Sequence, residues 1–181
     1  MTRWPVRRAT PQDAGRIAEI RVASWRHAYR DILPADGLAA MRADAAVQRW
    51  AEAAAEPPPI GLFVAVDADD VPVAYSLVGA AREDVDLHPH LPTGELWAIY
   101  ADPAAIGSGA GHAVHEAGMD HLVRQGFRHA VLWVFEANGG SRRFYERHGW
   151  QPDGGREDFE WSGSVTVEVR YAKSLAQPNS V

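Results

Sequence analysis

This 181-residue chain predicts an α/β fold built on a mixed sheet, and three observations carry that expectation. Between residues 96 and 135 an apolar run, a helical pattern bounded by glycines and a second continuous apolar run follow one another, as in a parallel strand–helix–strand crossover. Before it, apolar runs at 62–66 and 71–78 are joined by Asp67-Ala68-Asp69-Asp70, the pattern of an antiparallel hairpin. Beyond it, Trp150 and the run 165–171 suggest a second hairpin. With 46% hydrophobic and 23% charged residues the composition is that of a globular protein, and the length suits one domain over 1–181.

The elements can be justified in order. Thr10-Pro11-Gln12-Asp13 offers a capping Thr, a Pro at the first helical position and an acidic third residue, so a helix is expected over about 11–29. Ile17, Ile20, Ser24 and Ala28 form its core stripe, with Ala14, Ala18 and Trp25 beside it. After Ile32-Leu33-Pro34, the Ala-rich segment 35–56 reads as one long second helix, ended by Pro57-Pro58-Pro59. The run 96–101, closed by Asp102-Pro103, is expected to be a central strand. A Gly-rich turn opens a helix over 109–125 with Gly126 as its stop. The strand 130–135 and a short helix over 139–148 follow.

Charge and residue usage exclude several functions. Eighteen Lys and Arg against 24 Asp and Glu give a net charge of -6, which argues against nucleic acid as a partner. Cys is absent, removing disulfides, thiolate metal sites and a Cys nucleophile. Arg3, Arg7 and Arg8 at the start have no apolar run behind them, and no stretch reaches the ~20 apolar residues of a membrane span. The expectation is therefore a cytoplasmic protein with no membrane partner. His112, His115 and Glu116, and His88 with His90, lack the spacing of H-E-x-x-H and similar sites, so no metal is expected. Ser108 is not set in G-x-S-x-G, which rejects a serine hydrolase. No Lys-Ser/Thr follows the glycines and their strand is not the chain's first, which disfavours nucleoside triphosphates and nicotinamide cofactors.

The turn Ile106-Gly107-Ser108-Gly109-Ala110-Gly111 lies between a strand and a helix. Such glycines let backbone N–H groups face an anion at the positive end of the helix, although they also serve simply to bring helix and strand close together. Four segments decide the matter: 95–103 (Glu-Leu-Trp-Ala-Ile-Tyr-Ala-Asp-Pro), 106–111, Glu136-Ala137-Asn138, and 144–150 (Phe-Tyr-Glu-Arg-His-Gly-Trp). Together they resemble the GNAT superfamily of acetyl-coenzyme A-dependent N-acetyltransferases, over about 6–175. The family pattern Gln/Arg-x-x-Gly-x-Gly/Ala is met at Gly109 and Gly111, while Ile106 takes the place of Gln or Arg.

The resemblance implies a mostly antiparallel, twisted sheet with helices on both faces and a central parallel strand pair splayed to hold acetyl-coenzyme A. It implies acetyl transfer to a primary amine, that of a small molecule, in a monomer or homodimer. It also implies cofactor contacts from Ile99, Ala101, Ile106, Gly107, Ser108, Gly109, Ala110, Gly111, His112, Asn138 and Tyr145. An acceptor on a protein N-terminus or lysine, another acyl donor, and a non-catalytic acyl-coenzyme A sensor remain as alternatives.

An amine of pKa about 10.4 must lose a proton before it attacks, and Glu95 is the candidate base. Strand alternation would set it on one face with Trp97, Ile99 and Ala101; the competing reading has it facing solvent. By resemblance the Ile99 N–H stabilises the oxyanion and Tyr145 is the general acid, with neighbouring Phe144 expected to take the core position. Asn138 is expected both to cap its helix and to touch the pantetheine arm. Trp25, His27, Tyr29 and Trp133 either line an acceptor pocket or pack in the core. Finally, Glu83, Asp84 and Asp86, and Glu157, Asp158 and Glu160, are expected in two loops bordering the acceptor side, where they either attract cationic amines or are merely solvated.

Overall fold

A computed structural model describes residues 4–175; residues 1–3, with Arg3 of the basic start, and 176–181 lie outside the described residues. Seven strands form one sheet in the order β1-β2-β3-β4-β5-β7-β6. They are β1 (Val6–Arg8), β2 (Gly61–Val66), β3 (Pro72–Ala80), β4 (Thr93–Ala101), β5 (His129–Phe135), β6 (Gln151–Trp161) and β7 (Ser164–Ser174). The α-helices are α1 (Ala14–Ala28), α2 (Ala35–Ala40), α3 (Val47–Ala55), α4 (Ala110–Arg124) and α5 (Gly139–Arg147). All six residues of β2 are buried, because Leu62 and Val64 meet α1 and α3 on one face while Phe63 meets α4 on the other. The sheet is thus covered on both sides, as a continuous apolar strand requires. No helix among the described residues is long and apolar enough to cross a membrane.

Among the described residues the sheet has one parallel contact. β4 and β5 pair only through Thr93↔His129, Gly94↔Ala130 and Glu95↔Val131. Beyond Glu95 they diverge, although β4 stays paired with β3 as far as Ala101 and β5 with β7 as far as Phe135. The sheet is therefore split by a wedge between two strand edges.

A bulge in β4 sets which side chains face each side of that wedge. Leu77 pairs with Ala98 but Val78 with Leu96, so Trp97 is an extra residue and the two-residue alternation is broken there. Leu96 and Ile99 consequently both pack towards α4, while Ala98 and Tyr100 pack towards α1 and α3. The expected common face of Glu95, Trp97, Ile99 and Ala101 is thereby corrected: Ile99 and Ala101 lie with α4, and Glu95, next to Leu96, points to the opposite side. The Trp97 indole lies across Gly79, where a Cβ would come within 2.5 Å of Trp97 Cζ2. Gly79→Ala should therefore destabilise by about 1–3 kcal/mol through overpacking, which urea unfolding would measure.

Two other expectations change. The segment 35–56 is broken into α2, a 3-10 turn at Asp44–Ala46, and α3. The Arg26 guanidinium donates to the carbonyls of Leu38, Ala39 and Met41, satisfying the C-terminal acceptors of α2, and Met41 is extended at ψ 134. Helix propensity from Ala yields here to a cap supplied by α1. The C-terminal hairpin is also longer than its apolar part: β6 and β7 have eleven residues each, joined at Ser162 (φ 50) and Gly163 (φ 76), a two-residue turn with positive φ at both positions. Glu157, Asp158 and Glu160 therefore lie on strand β6, not in a loop.

Candidate active site

The wedge opens into a cavity of about 910 Å³. Along its β4 wall the backbone can be oriented from one bond: the Asp102 N–H donates to Val73 on β3. With peptide directions alternating along a strand, the N–H groups of Ala98 and Tyr100 also face β3, and those of Ile99 and Ala101 face the cavity. At the far end of this edge Asp102 caps a short 3-10 turn, accepting from the Ala104 N–H at 2.9 Å, and pairs with Arg16 at 2.5 Å. The turn into α4 needs glycine, with Gly107 at φ +80 and Gly109 at φ +93, values costly for other residues. Among the described residues, the N–H groups of Gly107, Gly109, Gly111 and His112 have no hydrogen-bond partner. They form a group of donors at the positive end of a fifteen-residue helix.

Most of the residues expected to hold a cofactor reach this cavity: Ile99, Ala101, Ile106, Gly107, Gly109, Gly111, His112, Asn138 and Tyr145 all line it. Ser108 and Ala110 do not. The Ser108 hydroxyl donates to Ala105 and accepts from the Ala110 N–H, while its carbonyl takes the Trp4 indole N–H; Ala110 is fully buried beside Ala65, Ala74 and Val114. These two residues shape the turn from behind.

α5 supplies the opposite wall. Asn138 caps it by accepting from the Ser141 N–H at 3.1 Å. Tyr145 is the buried member of the Phe144–Tyr145 pair, reversing the expectation for Phe144, which lines the cavity against His148. The Tyr145 hydroxyl has no hydrogen-bond partner among the described residues, and burial raises its pKa above the ordinary tyrosine value.

The other end of the cavity is aromatic and acidic. Trp25, His27, Tyr29 and Trp133 line it, as do Tyr100, Phe135 and Phe159. The Tyr29 and Tyr100 hydroxyls are 3.2 Å apart. Glu95 also lines it but is only 2% exposed, which rules out the solvent-facing reading. Arg82 holds both of its oxygens, through Nη2 at 2.5 Å to Oε1 and through Nε and the backbone N–H at 3.2 and 3.1 Å to Oε2. Trp133 donates to the Asp86 carboxylate, which Arg170 also binds. Asp86 is thus a buried, paired group, and the expected acidic rim is reduced on that side.

Sequence reasoning set Glu157 on the acceptor side but missed Glu168. Glu157 and Glu168 are cross-strand neighbours on β6 and β7, and both line the cavity. Burial, then the charge of Glu157, pushes the Glu168 pKa up to about 7; burial also raises that of Glu157. The alternation Thr166, Glu168, Arg170 had the pattern of a solvent face, and only the pairing Phe135↔Glu168 brings that face to the cavity.

Split sheet, glycine turn and buried tyrosine together define an acetyltransferase domain of the kind the sequence resembles. The sequence model of the acetyltransferase (GNAT) family matches residues 19–150, and the chain belongs to that family. It is 32% identical over 165 residues to the uncharacterized N-acetyltransferase YuaI of Bacillus subtilis, covering 91% of this chain and 89% of that protein. A mycothiol acetyltransferase of Thermobispora bispora is 36% identical over 116 residues, 64% of this chain but 34% of that protein. The fold is similar to that of a PaiA N-acetyltransferase from Thermoplasma acidophilum in complex with coenzyme A, at TM-score 0.73 and 16% identity over 94% of this chain and 98% of that one. It also resembles a phosphinothricin acetyltransferase from Sinorhizobium meliloti in complex with acetyl-coenzyme A, at TM-score 0.70 and 19% identity over 96% and 89%.

Proposed function

We propose that the wedge binds acetyl-coenzyme A and that the chain transfers its acetyl group to the primary amine of a small cationic molecule. The observation that carries this reading is the continuous line of free donors, from Ile99 and Ala101 on β4 to Gly107, Gly109, Gly111 and His112 at α4. A strand edge suits an extended chain of amides such as pantetheine, and a helix N-terminus suits the diphosphate beyond it. Ile106, 56% exposed, adds only apolar contact where the family has Gln or Arg; the backbone donors do not depend on it.

In this reading the Ile99 N–H stabilises negative charge as it develops on the thioester carbonyl oxygen. Glu168 takes the proton of the bound ammonium, because its raised pKa makes it a better base near neutral pH than an ordinary carboxylate. The amine nitrogen then bonds to the carbonyl carbon as the carbon–sulfur bond breaks, and the second proton that the nitrogen sheds ends on the departing sulfur, which leaves as the thiol. Tyr145 donates to the leaving sulfur. A thiol has a pKa near 8.5, below that of the buried phenol, so the hydroxyl acts chiefly as a hydrogen-bond donor. Glu157 and the aromatic wall hold the acceptor's charge and its apolar body.

Glu95, the base expected from sequence, has both of its oxygens bound by Arg82 and is assigned a positioning role for that arginine and for Trp97, over which the guanidinium lies at 5.2 Å. Glu95→Gln should thus reduce turnover by a factor independent of pH. A loss that shrinks as pH rises would return the base role to Glu95. The overall reading is tested by binding and turnover together. Acetyl-coenzyme A should raise the melting temperature, and thiol release over a panel of polyamines, aminoglycosides, amino acids and peptides should favour small cationic amines. No binding at millimolar acetyl-coenzyme A would overturn the reading; binding without thiol release would indicate the sensor alternative.

A further inference from the structure

His112 and Glu116 stand four residues apart on α4, on one helix face, and His148 reaches them from the C-terminal end of α5. One nitrogen from each histidine and one oxygen of Glu116 all lie within 4.8 Å of one another. The two imidazoles are closest, His112 Nδ1 to His148 Nε2 at 2.8 Å. We propose that these three side chains form a binding site for a divalent transition-metal ion of the zinc type at the lip of the cavity. The inference is independent of the catalytic reading.

Its main support is the set of bonds behind the ligands. His148 Nδ1 lies 2.7 Å from the Phe144 carbonyl. A carbonyl can only accept, so the proton is on Nδ1, and the Nε2 lone pair is the one aimed at His112. Glu116 is held in a similar way. The Trp150 indole N–H, which can only donate, lies 2.9 Å from His115 Nε2. His115 therefore carries its proton on Nδ1 and donates it to Glu116 Oε1 at 2.9 Å. His115 is fully buried, so this relay is fixed in place and leaves Glu116 Oε2 free. Metal-binding histidines and carboxylates are usually oriented by such outer bonds to a carbonyl or a second side chain.

The chemistry of the donors selects the ion. Two neutral imidazoles and one carboxylate suit zinc and its neighbours and are poorly matched to magnesium or calcium, which prefer all-oxygen shells. Tetrahedral zinc with ligands at ~2.0–2.1 Å separates its donor atoms by about 3.3 Å. The histidine nitrogens would part by a fraction of an ångström and Glu116 would swing inward, and both His112 and Glu116 are exposed enough to do so. His112 and His148 line the cavity, so a fourth position would open towards it. Lys173 donates to the His148 carbonyl and is the cation that the Glu116 charge must offset. Spacing along the chain could not reveal this site, because the third ligand comes from another helix and His115 turns inward.

The test uses the untagged full-length protein, titrated with Co²⁺ followed by its visible absorption and with Zn²⁺ followed by calorimetry. One ion per chain is expected, with Zn²⁺ displacing Co²⁺ and millimolar Mg²⁺ displacing neither. His112→Asn, His148→Gln and Glu116→Gln should each weaken binding by more than about tenfold, since loss of an orienting partner alone costs that much. His88→Asn with His90→Asn removes a second histidine group, in which the His88 and His129 rings lie 4.9 Å apart, and should leave binding unchanged. Melting temperatures without metal identify any variant that fails to fold, and His112, at the surface, is the substitution least exposed to that problem. Absence of a Co²⁺ band, affinity kept in both His112→Asn and His148→Gln, or loss in the His88/His90 variant would each overturn the proposal.

Discussion

Glu168→Gln is expected to lower kcat/KM for a cationic amine by about 10²–10⁴-fold, the range for losing an acid–base group, and to remove a specific feature of the pH profile. Wild-type activity should rise through pH about 7, because Glu168, with its pKa pushed up to about 7 by burial and by Glu157, must be ionised to accept the proton. The variant should lack that inflection. The same shift has a consequence for stability, and its sign is opposite to that of a salt-bridged carboxylate. The folded protein holds this proton more tightly than the unfolded chain, whose glutamate titrates near 4.5. The associated stabilisation is full below that value and is lost as pH rises through about 7. Melting temperature against pH should show this decline in wild type and a flatter line in Glu168→Gln. An unchanged acidic limb in the rate profile would remove Glu168 from the mechanism.

Tyr145→Phe should leave coenzyme binding intact and lower thiol release by about 10²–10³-fold, the cost of losing one transition-state hydrogen-bond donor. Only a hydroxyl without a partner among the described residues is removed, and the ring keeps its contacts with Phe144, Trp150 and Tyr171. Because burial raises the phenol pKa, the donor stays protonated through the neutral range and the defect should be constant across it. Single-turnover release of thiol, compared with the coenzyme-induced rise in melting temperature, separates the chemical step from binding. An unaltered rate would exclude Tyr145.

The strand–helix–strand unit and the glycine turn were legible because their signals are local: a continuous apolar strand, and glycines where φ is positive. The wedge itself was implied by resemblance. What escaped the sequence depends on partners far along the chain. The break at Met41 is held by Arg26 on another helix, and the faces of β4 depend on a bulge visible only in its register with β3. Glu168 alternates like a surface residue until β5 and β6 are placed beside it. The extent of strand β6 was hidden because Gln151, Asp153, Arg156, Glu157, Asp158 and Glu160 are polar, although Ser162-Gly163 is a readable hairpin turn. For the proposed catalytic groups, sequence indicated the residue types but could not show that Arg82 occupies the carboxylate of Glu95.

The split between β4 and β5 also affects how the protein behaves when empty. Unpaired strand edges are templates on which other extended chains can add, and here two such edges face each other inside one molecule. A ligand lying between them would complete the ladder and block the template. Acetyl-coenzyme A should then protect against aggregation on heating by more than its effect on melting temperature alone explains, because it removes the nucleation surface as well as stabilising the fold. Light scattering at matched fractions unfolded would show the difference, and soluble yield during purification should improve whenever the wedge is kept filled.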